Sequence, residues 1–226
     1  MLAGHLGVAL AAGRIEPRIN LGILAAAALL LDLLLWLFVL AGWETVVTPA
    51  DYAVTRQEEF RFPYSHSLVA SLLWSAAAAA LAWRCGAGSG TARRRMALII
   101  AAVVFSHWLL DALVHRPELP LAGSSSLMIG AGLWNHLPLA LAIEAAITLT
   151  GLWLLVSAAA FSRGRTAALA ATMVVLLVFT IGGMLFAPPP PSAFAMAASS
   201  LALLVAACLL LGWLGRGEGA TTVSRP

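Results

Sequence analysis

Lysine is absent from this 226-residue chain, and charged side chains of any kind are scarce. All 13 basic residues are arginine, and charged residues make up 10% of the sequence against 62% hydrophobic residues. An ordinary soluble domain carries about 25% charged residues, so the composition excludes that class. The two cysteines, Cys85 and Cys208, lie far apart at or within apolar runs and give no disulfide framework. The arginines fall between apolar runs, so they do not indicate a nucleic-acid partner.

Long runs of apolar residues make up most of the sequence. Each is near the length of about 20 residues that a helix needs to cross a bilayer, and the fourth is long enough to tilt. The runs are continuous and rich in Ala and Leu, which argues against strands. We therefore predict an all-α, polytopic membrane protein, one embedded domain over residues 1–226 with about six transmembrane helices. The predicted spans are residues 20–42, 65–83, 96–115, 132–160, 167–187 and 193–214.

A seventh apolar run, Met1–Ala12, is too short to span. It lacks a basic start, and Gly13-Arg14 follows it instead of a cleavage site, so we do not expect a secretory signal. The sequence predicts a short N-terminal half-helix that dips into the bundle, or an interfacial helix.

The arginines also predict the orientation of the spans. Ten of the 13 fall on one side of the predicted bundle, and the positive-inside rule makes that side cytoplasmic, together with both termini. The loop 43–63 then faces outward, where it could cap the mouth of the bundle. The ten are Arg14, Arg18, Arg84, Arg93, Arg94, Arg95, Arg163, Arg165, Arg216 and Arg225.

Ionisable residues inside the predicted spans are costly in hydrocarbon and usually mark a site. His107 and Asp111 are four residues apart, which places them on one face of a helix. With a rise of about 1.5 Å per residue, Asp32 and His107 each lie roughly 16 Å from the inner ends of their spans. His66 lies slightly above Asp111, and His5 lies roughly 14 Å above the inner interface. The five side chains are therefore predicted to lie at similar depth.

Imidazoles and carboxylates together suit Zn²⁺, Mn²⁺ or Fe²⁺ better than an all-oxygen calcium site. Three protein ligands with an open position would let one such metal lower the pKa of bound water toward about 7. Glu44 and Glu58 in the outer loop are the predicted catalytic bases, with Glu59 as a further candidate. The residues predicted to contact a substrate head group are Arg116, Asn135 and His136.

Structural roles are open for several of these residues. His66 could be a hydrogen-bonding histidine at a helix end, and His107 with Asp111 could form a pair without metal. Glu144 falls near mid-depth in span four, where it could be protonated and bonded to a backbone carbonyl. The same intramembrane residues could also conduct protons or ions.

Four motifs in order resemble the YdjM-like family, and the similarity is greater to its six-span branch. Members are bacterial inner-membrane proteins described as metal-dependent hydrolases. The resemblance covers roughly residues 1–140 by motif, and the order of its His and Asp residues is also similar to the zinc-dependent phospholipase C pattern. The motifs are Gly4-His5, Leu31-Asp32, Tyr64-Ser65-His66-Ser67 and Ser106-His107-Trp108-Leu109-Leu110-Asp111, followed by segments like His115-Arg116-Pro117-Glu118-Leu119-Pro120 and Gly132-Leu133-Trp134-Asn135.

The resemblance implies metal ligands at His5, Asp32, His66, His107 and Asp111, and a location in the bacterial inner membrane. Related proteins often have Pro-Asp-x-Asp-His where this chain has Leu-Asp-Leu-Leu-Leu. A second carboxylate and a histidine are missing, so we expect a single divalent metal, with zinc favoured.

Two functions from different classes follow. The first is a membrane-embedded hydrolase that cleaves an ester or phosphoester of a lipid or lipid-linked substrate from the outer leaflet. The alternative is a transporter, channel or assembly subunit, and a sealed inner half of the bundle would argue against it. The fifth and sixth spans contain no Asp, Glu, His, Arg or Lys, so they are interpreted as packing helices, with Gly182-Gly183 suited to close helix contacts.

Overall fold

The computed structural model describes residues 1–158 and 161–216, so Arg225 and the end of the predicted span 132–160 lie outside the described residues. Within these described residues, five helices are long and apolar enough to cross a membrane, or six when a bent pair counts as one, which confirms the predicted all-α architecture. The helices are α1 (Leu2–Ile15), α2 (Leu21–Ala28), α3 (Leu30–Leu40), α4 (Tyr52–Thr55), α5 (Leu68–Cys85), α6 (Gly90–Val114), α7 (Leu137–Val156), α8 (Arg163–Phe186) and α9 (Ala193–Leu214).

Serine caps set the starts of three of the long helices. The side chains of Ser67, Ser89 and Ser192 each accept a hydrogen bond from the backbone N–H three residues later. Such caps satisfy donors that the first turn of a helix leaves free. Because Ser89 is a cap, α6 begins at Gly90, six residues before the predicted start of that span.

The connections gather at two ends of the bundle. The loop end comprises residues 41–67, 115–136 and 187–192, and the arginine end lies opposite. Hydrogen bonds such as Gln57 Nε2 to Asn135 Oδ1, 3.2 Å, join the loops to one another. The loop end holds two antiparallel hairpins, β1 (Thr45–Val47) with β2 (Glu59–Arg61) and β3 (Leu119–Pro120) with β4 (Met128–Ile129), and a 3₁₀ turn over Leu133–His136.

The first predicted span is bent by 59° between α2 and α3. Kinks of this size usually come from proline, glycine or an inserted side chain, and the local sequence is uniform Ala and Leu. The backbone carbonyl of Ala28 accepts a hydrogen bond of 2.7 Å from Nδ1 of His107. The bend therefore coincides with a side chain inserted from α6, and it places Asp32 in the first turn of α3.

Helix α1 lies inside the bundle, with nine of its 14 residues buried, so the half-helix prediction fits better than an interfacial helix. Its backbone touches that of α7 where Gly7 meets Gly151. A Cβ atom added at Gly7 would lie 2.6 Å from the carbonyl oxygen of Ile147, and one added at Gly151 would lie 2.0 Å from that of Gly7. Only glycine at both positions permits so close an approach.

An ionic contact anchors the far end of α1 at the arginine end. Glu16 is buried, and its Oε2 lies 2.8 Å from Nη2 of Arg18 and 3.0 Å from Nε of Arg95. The hydrogen bonds from Arg18 hold the pKa of Glu16 below its ordinary value. Arg95 also donates to the Ile15 carbonyl at 2.7 Å, which satisfies an acceptor at the helix terminus.

Apolar side chains fill the core between the arginine end and the polar residues. Large side chains of this core from α1, α2, α8 and α9 are no more than 1% exposed. This layer closes the arginine-end half of the bundle with close-packed hydrocarbon. Its members are Leu6, Leu10, Leu24, Met173 and Leu211.

Candidate metal centre

Five ionisable side chains converge in the half of the bundle nearer the loop end. His5 comes from α1, Asp32 from α3, His66 from the segment before α5, and His107 and Asp111 from α6. Four of the side chains are at most 4% exposed, and Asp32 is 23% exposed. The structure thus brings together all five residues that the sequence predicts as ligands.

Three donor atoms form the tightest group. His66 Nε2 lies 3.3 Å from His107 Nε2 and 3.4 Å from Asp111 Oδ2, and His107 Nε2 lies 3.0 Å from Asp111 Oδ2. Asp32 Oδ1 lies 3.6 Å from both imidazole nitrogens. Two ligands held about 2.1 Å from a tetrahedral metal lie roughly 3.4 Å apart, so these residues can hold a metal ion.

The hydrogen bond to Ala28 fixes the tautomer of His107. A carbonyl oxygen can only accept, so Nδ1 of His107 carries the proton that bridges the 2.7 Å contact. In the neutral ring, Nε2 then presents a lone pair to the other donor atoms. A backbone carbonyl on the distal nitrogen is the usual partner of a metal-binding histidine.

A relay of three side chains fixes His66 in the same way. Ser65 Oγ donates to Glu44 Oε2 at 2.7 Å and accepts from Nδ1 of His66 at 2.7 Å. The other carboxylate oxygen of Glu44 accepts from the backbone N–H groups of Tyr64 and Ser65. Trp108 Nε1 donates to the His66 carbonyl at 3.0 Å and holds the backbone beside it.

Two lone pairs therefore face each other across 3.3 Å, on Nε2 of His66 and Nε2 of His107. Two acceptors at this separation repel unless a proton or a cation lies between them. The neighbouring carboxylates of Asp32 and Asp111 add negative charge in a region shielded from water. A divalent cation relieves both costs, so the donor set fits a metal.

His5 and Glu144 support the cluster from α1 and α7. His5 Nε2 lies 3.2 Å from Asp111 Oδ1, and its ring stacks on that of His107 with centroids 3.7 Å apart. Glu144 Oε1 accepts from the N–H groups of Ala3 and Gly4 at 3.0 and 3.2 Å, so it caps α1. Among the described residues it bonds these two N–H groups, whereas a protonated Glu144 was expected to bond a backbone carbonyl. Glu144 therefore holds His5 in place.

A cavity of about 280 Å³ leads from the cluster toward the loop end. Asp32, His66 and Asp111 lie on its wall, and Arg56 and Glu58 lie on the wall contributed by the outer loop. A larger groove of about 1090 Å³ runs beside α5, lined by residues such as Phe38 and Trp74. The larger groove includes none of the five clustered residues, so we place the site in the smaller cavity.

The two predicted bases occupy different places. Three hydrogen bonds engage the carboxylate of Glu44 behind His66, so it orients that ring instead of acting as a free base. Glu58 lines the cavity, and burial raises its pKa. A carboxylate with a raised pKa is a stronger base once ionised, so Glu58 fits the catalytic role better than Glu44.

The predicted head-group residues lie outside the cavity wall as the structure describes it. Arg116 donates to the Glu58 carbonyl and is 3.6 Å from Glu118, whose charge offsets that of the guanidinium. Asn135 accepts from Gln57, and His136 is exposed. The cavity wall instead includes Arg56, Gln57, His115 and Trp134. His115 and Trp134 lie in the two segments that carry the family resemblance, whereas no sequence signal singled out Arg56 or Gln57.

Replacing Glu44 with glutamine should weaken metal binding about 10–100-fold, the usual effect of losing an outer-shell partner. The single amide oxygen would face the two backbone N–H groups, and the amide nitrogen would donate to Ser65. Ser65 could then donate to Nδ1 of His66, which would move the ring proton to Nε2 and remove a lone pair from the cluster. Titration against a chelator measures the dissociation constant, with Asp51→Asn, an exposed loop carboxylate, as the matched control. Equal affinity in the two variants would refute the relay.

No family model, curated protein or solved structure matches this chain. The resemblance to the YdjM-like family thus stays a prediction, and the function has to be inferred from the site.

Proposed function

We propose that this chain is a metal-dependent hydrolase that cleaves an ester or phosphoester of a lipid or lipid-linked substrate. The observation that carries the proposal is the set of His66, His107 and Asp111, whose donor atoms lie 3.0–3.4 Å apart beside a cavity. The hydrogen bonds to Ala28 and Ser65 direct both imidazole lone pairs into that set. Two histidines and one carboxylate with an open position is a common catalytic zinc arrangement.

The residues around the cavity have separate roles in the proposed reaction. His66, His107 and Asp111 would hold a divalent metal, with zinc favoured, which would polarise the scissile group and lower the pKa of bound water. Glu58 accepts a proton from the attacking water as its oxygen bonds to the carbonyl carbon or phosphorus. The bond to the leaving oxygen then breaks, and the proton held by Glu58 passes to that oxygen. Asp32, beside both imidazoles, adds negative charge that strengthens metal binding.

The arginine distribution orients the proposed enzyme. The arginine end is the cytoplasmic end by the positive-inside rule, so the loop end and the cavity face outward. The proposed location is a bacterial inner membrane with both termini in the cytoplasm. A lipid of the outer leaflet is then the substrate nearest to the cavity.

The core at the arginine end favours hydrolysis over transport. Ion or proton passage needs a polar path through both halves of the bundle. Leu6, Leu10 and Leu24 fill the half below the cluster and are at most 1% exposed. A site closed on one side suits a reaction whose substrate and products use the same opening.

Metal analysis of the purified, detergent-solubilised protein, followed by a lipid hydrolysis assay, tests the proposal. We expect about one divalent transition metal per chain, cleavage of phospholipid or acyl ester in mixed micelles, and loss of cleavage after chelation. Restoring zinc should restore cleavage. Protein that is folded and binds no divalent metal under any loading condition would refute the proposal.

Activity should fall as the pH drops through the raised pKa of Glu58, because only the ionised carboxylate accepts a proton. The acid limb of the kcat profile is therefore expected above 4.5, the ordinary value for glutamate. Glu58→Gln should lower kcat by about 100-fold or more and remove this limb. The adjacent Glu59→Gln is the control, since that side chain is 59% exposed. An unchanged acid limb in Glu58→Gln would assign the base elsewhere.

A further inference from the structure

The cavity has two chemically different walls. The polar wall carries the metal-binding cluster and the outer loop. The opposite wall comes from α8 and α9, the helices interpreted from sequence as packing elements, and most of the side chains that line the cavity there are apolar. Its lining residues include Phe179, Gly183, Met184, Met196, Leu203 and Leu204.

The apolar wall opens toward the surroundings of the bundle. Phe179 lines the cavity and is still 57% exposed, so the cavity reaches the lipid-facing side of α8. Gly182 and Gly183 were expected to pack closely against another helix. A Cβ atom added at either would meet nothing within 4 Å in the part of the chain that the structure describes. Open space therefore lies beside Gly183, in a part of the cavity that residues of both α8 and α9 line.

A cationic side chain stands at the loop end of this apolar wall. Arg56 lines the cavity and donates from Nη1 to the carbonyl of Ala187, at the end of α8, across 2.9 Å. Within residues 1–158 and 161–216, no carboxylate lies within 4.0 Å of its guanidinium, whereas Arg116 is paired with Glu118. Arg56 holds this place from a left-handed backbone with φ of 55°, a conformation uncommon outside glycine. Its free donors suit a phosphate group.

The size of the cavity limits what it can enclose. At about 280 Å³ it lies just below the usual range of about 300–1,000 Å³ for ligand pockets. A two-chain lipid is larger than this, so only the region near the scissile bond can be enclosed. The hydrocarbon chains must leave past apolar side chains, and the wall that α8 and α9 contribute has that character.

We infer that the substrate is an anionic phospholipid that enters sideways between α8 and α9, with its acyl chain beside Gly183 and its phosphate on Arg56. This inference rests on the proposed hydrolase function for its catalytic meaning, but lipid entry itself needs no turnover. Arg56 thus replaces Arg116 as the residue that recognises the head group.

Photo-crosslinking in nanodiscs tests the inference without hydrolysis. The probe is phosphatidic acid with a diazirine at the middle of one acyl chain, compared with phosphatidylcholine bearing the same chain. We expect crosslinks on the α8 and α9 peptides, and a yield about tenfold lower in Gly183→Leu than in Gly182→Leu. The two glycines are adjacent and equally free of neighbours, but only Gly183 lines the cavity.

Arg56→Gln is a second variant that adds no bulk. It should lower the yield with phosphatidic acid about tenfold, to the level of phosphatidylcholine, because charge-assisted hydrogen bonds are lost. Arg61→Gln, an exposed arginine of β2, is its control and should match the unaltered protein. Equal yields in Gly183→Leu and Gly182→Leu, or an Arg56→Gln yield equal to that of Arg61→Gln, would overturn the inference. Hydrolysis and metal content are measured separately. Crosslinking that persists in protein without metal or cleavage would refute the proposed hydrolase function but support lipid entry between α8 and α9.

Discussion

His107→Ala should leave the purified protein without stoichiometric divalent metal and with cleavage at the level of the uncatalysed reaction. His107 belongs to both groups of residues that can hold a metal, so its loss removes the ligand that they share. The fall in metal affinity should exceed the 10–100-fold change that loss of an outer-shell partner causes. Elemental analysis and single-turnover hydrolysis measure the two effects.

The control for His107→Ala is Ser106→Ala, the preceding residue on α6. The hydroxyl of Ser106 donates to the Val103 carbonyl within the same helix. Ser106→Ala should therefore keep both metal and activity. A His107→Ala protein with full metal content and normal turnover would contradict the assigned site.

Gly151→Ala should displace α1 and weaken metal binding about 10–100-fold, the usual effect of disturbing an outer-shell partner. The new methyl group would lie 2.0 Å from the Gly7 carbonyl oxygen and 2.6 Å from the carbonyl carbon, so backbone must move. Overpacking costs about 1–3 kcal/mol, and a clash of backbone with backbone belongs at the top of that range or above it. Moving α1 also withdraws His5 from Asp111. Thermal unfolding in detergent and metal titration report both consequences.

Gly182→Ala provides the matched change for Gly151→Ala. It makes the same substitution in the interior of a long helix, but the added methyl meets open space. Stability should stay level or rise slightly, since alanine favours helix by about 1 kcal/mol over glycine. If Gly151→Ala had the same stability and metal affinity as Gly182→Ala, the close backbone contact between α1 and α7 would be wrong.

The number of helices and the rough depth of the site were predictable from sequence. Continuous apolar runs report length directly, and a fixed rise per residue converts position into depth. That arithmetic placed Asp32 and His107 at equal depth, and the structure puts Asp32 Oδ1 3.6 Å from His107 Nε2. The first residues of the helices were less predictable, because capping by Ser89 starts α6 several residues before its apolar run.

The bend and the cavity could not be predicted. The bend after Ala28 coincides with a hydrogen bond from His107, 79 residues away, so nothing in the local sequence signals it. The inward faces of α8 and α9 carry no periodic signal, since lipid and protein interior are equally apolar. The choice between Arg56 and Arg116 likewise depended on which guanidinium Glu118 neutralises, which only tertiary contacts decide.

The position of α1 also sets an order of events during biosynthesis. Ala3 hydrogen-bonds to Glu144, which follows it by 141 residues. At about 5–20 residues per second, that interval takes roughly 7–28 s. Throughout this time α1 has neither its cap on α7 nor the Gly151 surface against which it packs. Helix α1 therefore docks only after α7 has been inserted, and until then His5 lacks the cap and the packing surface that hold it beside Asp111.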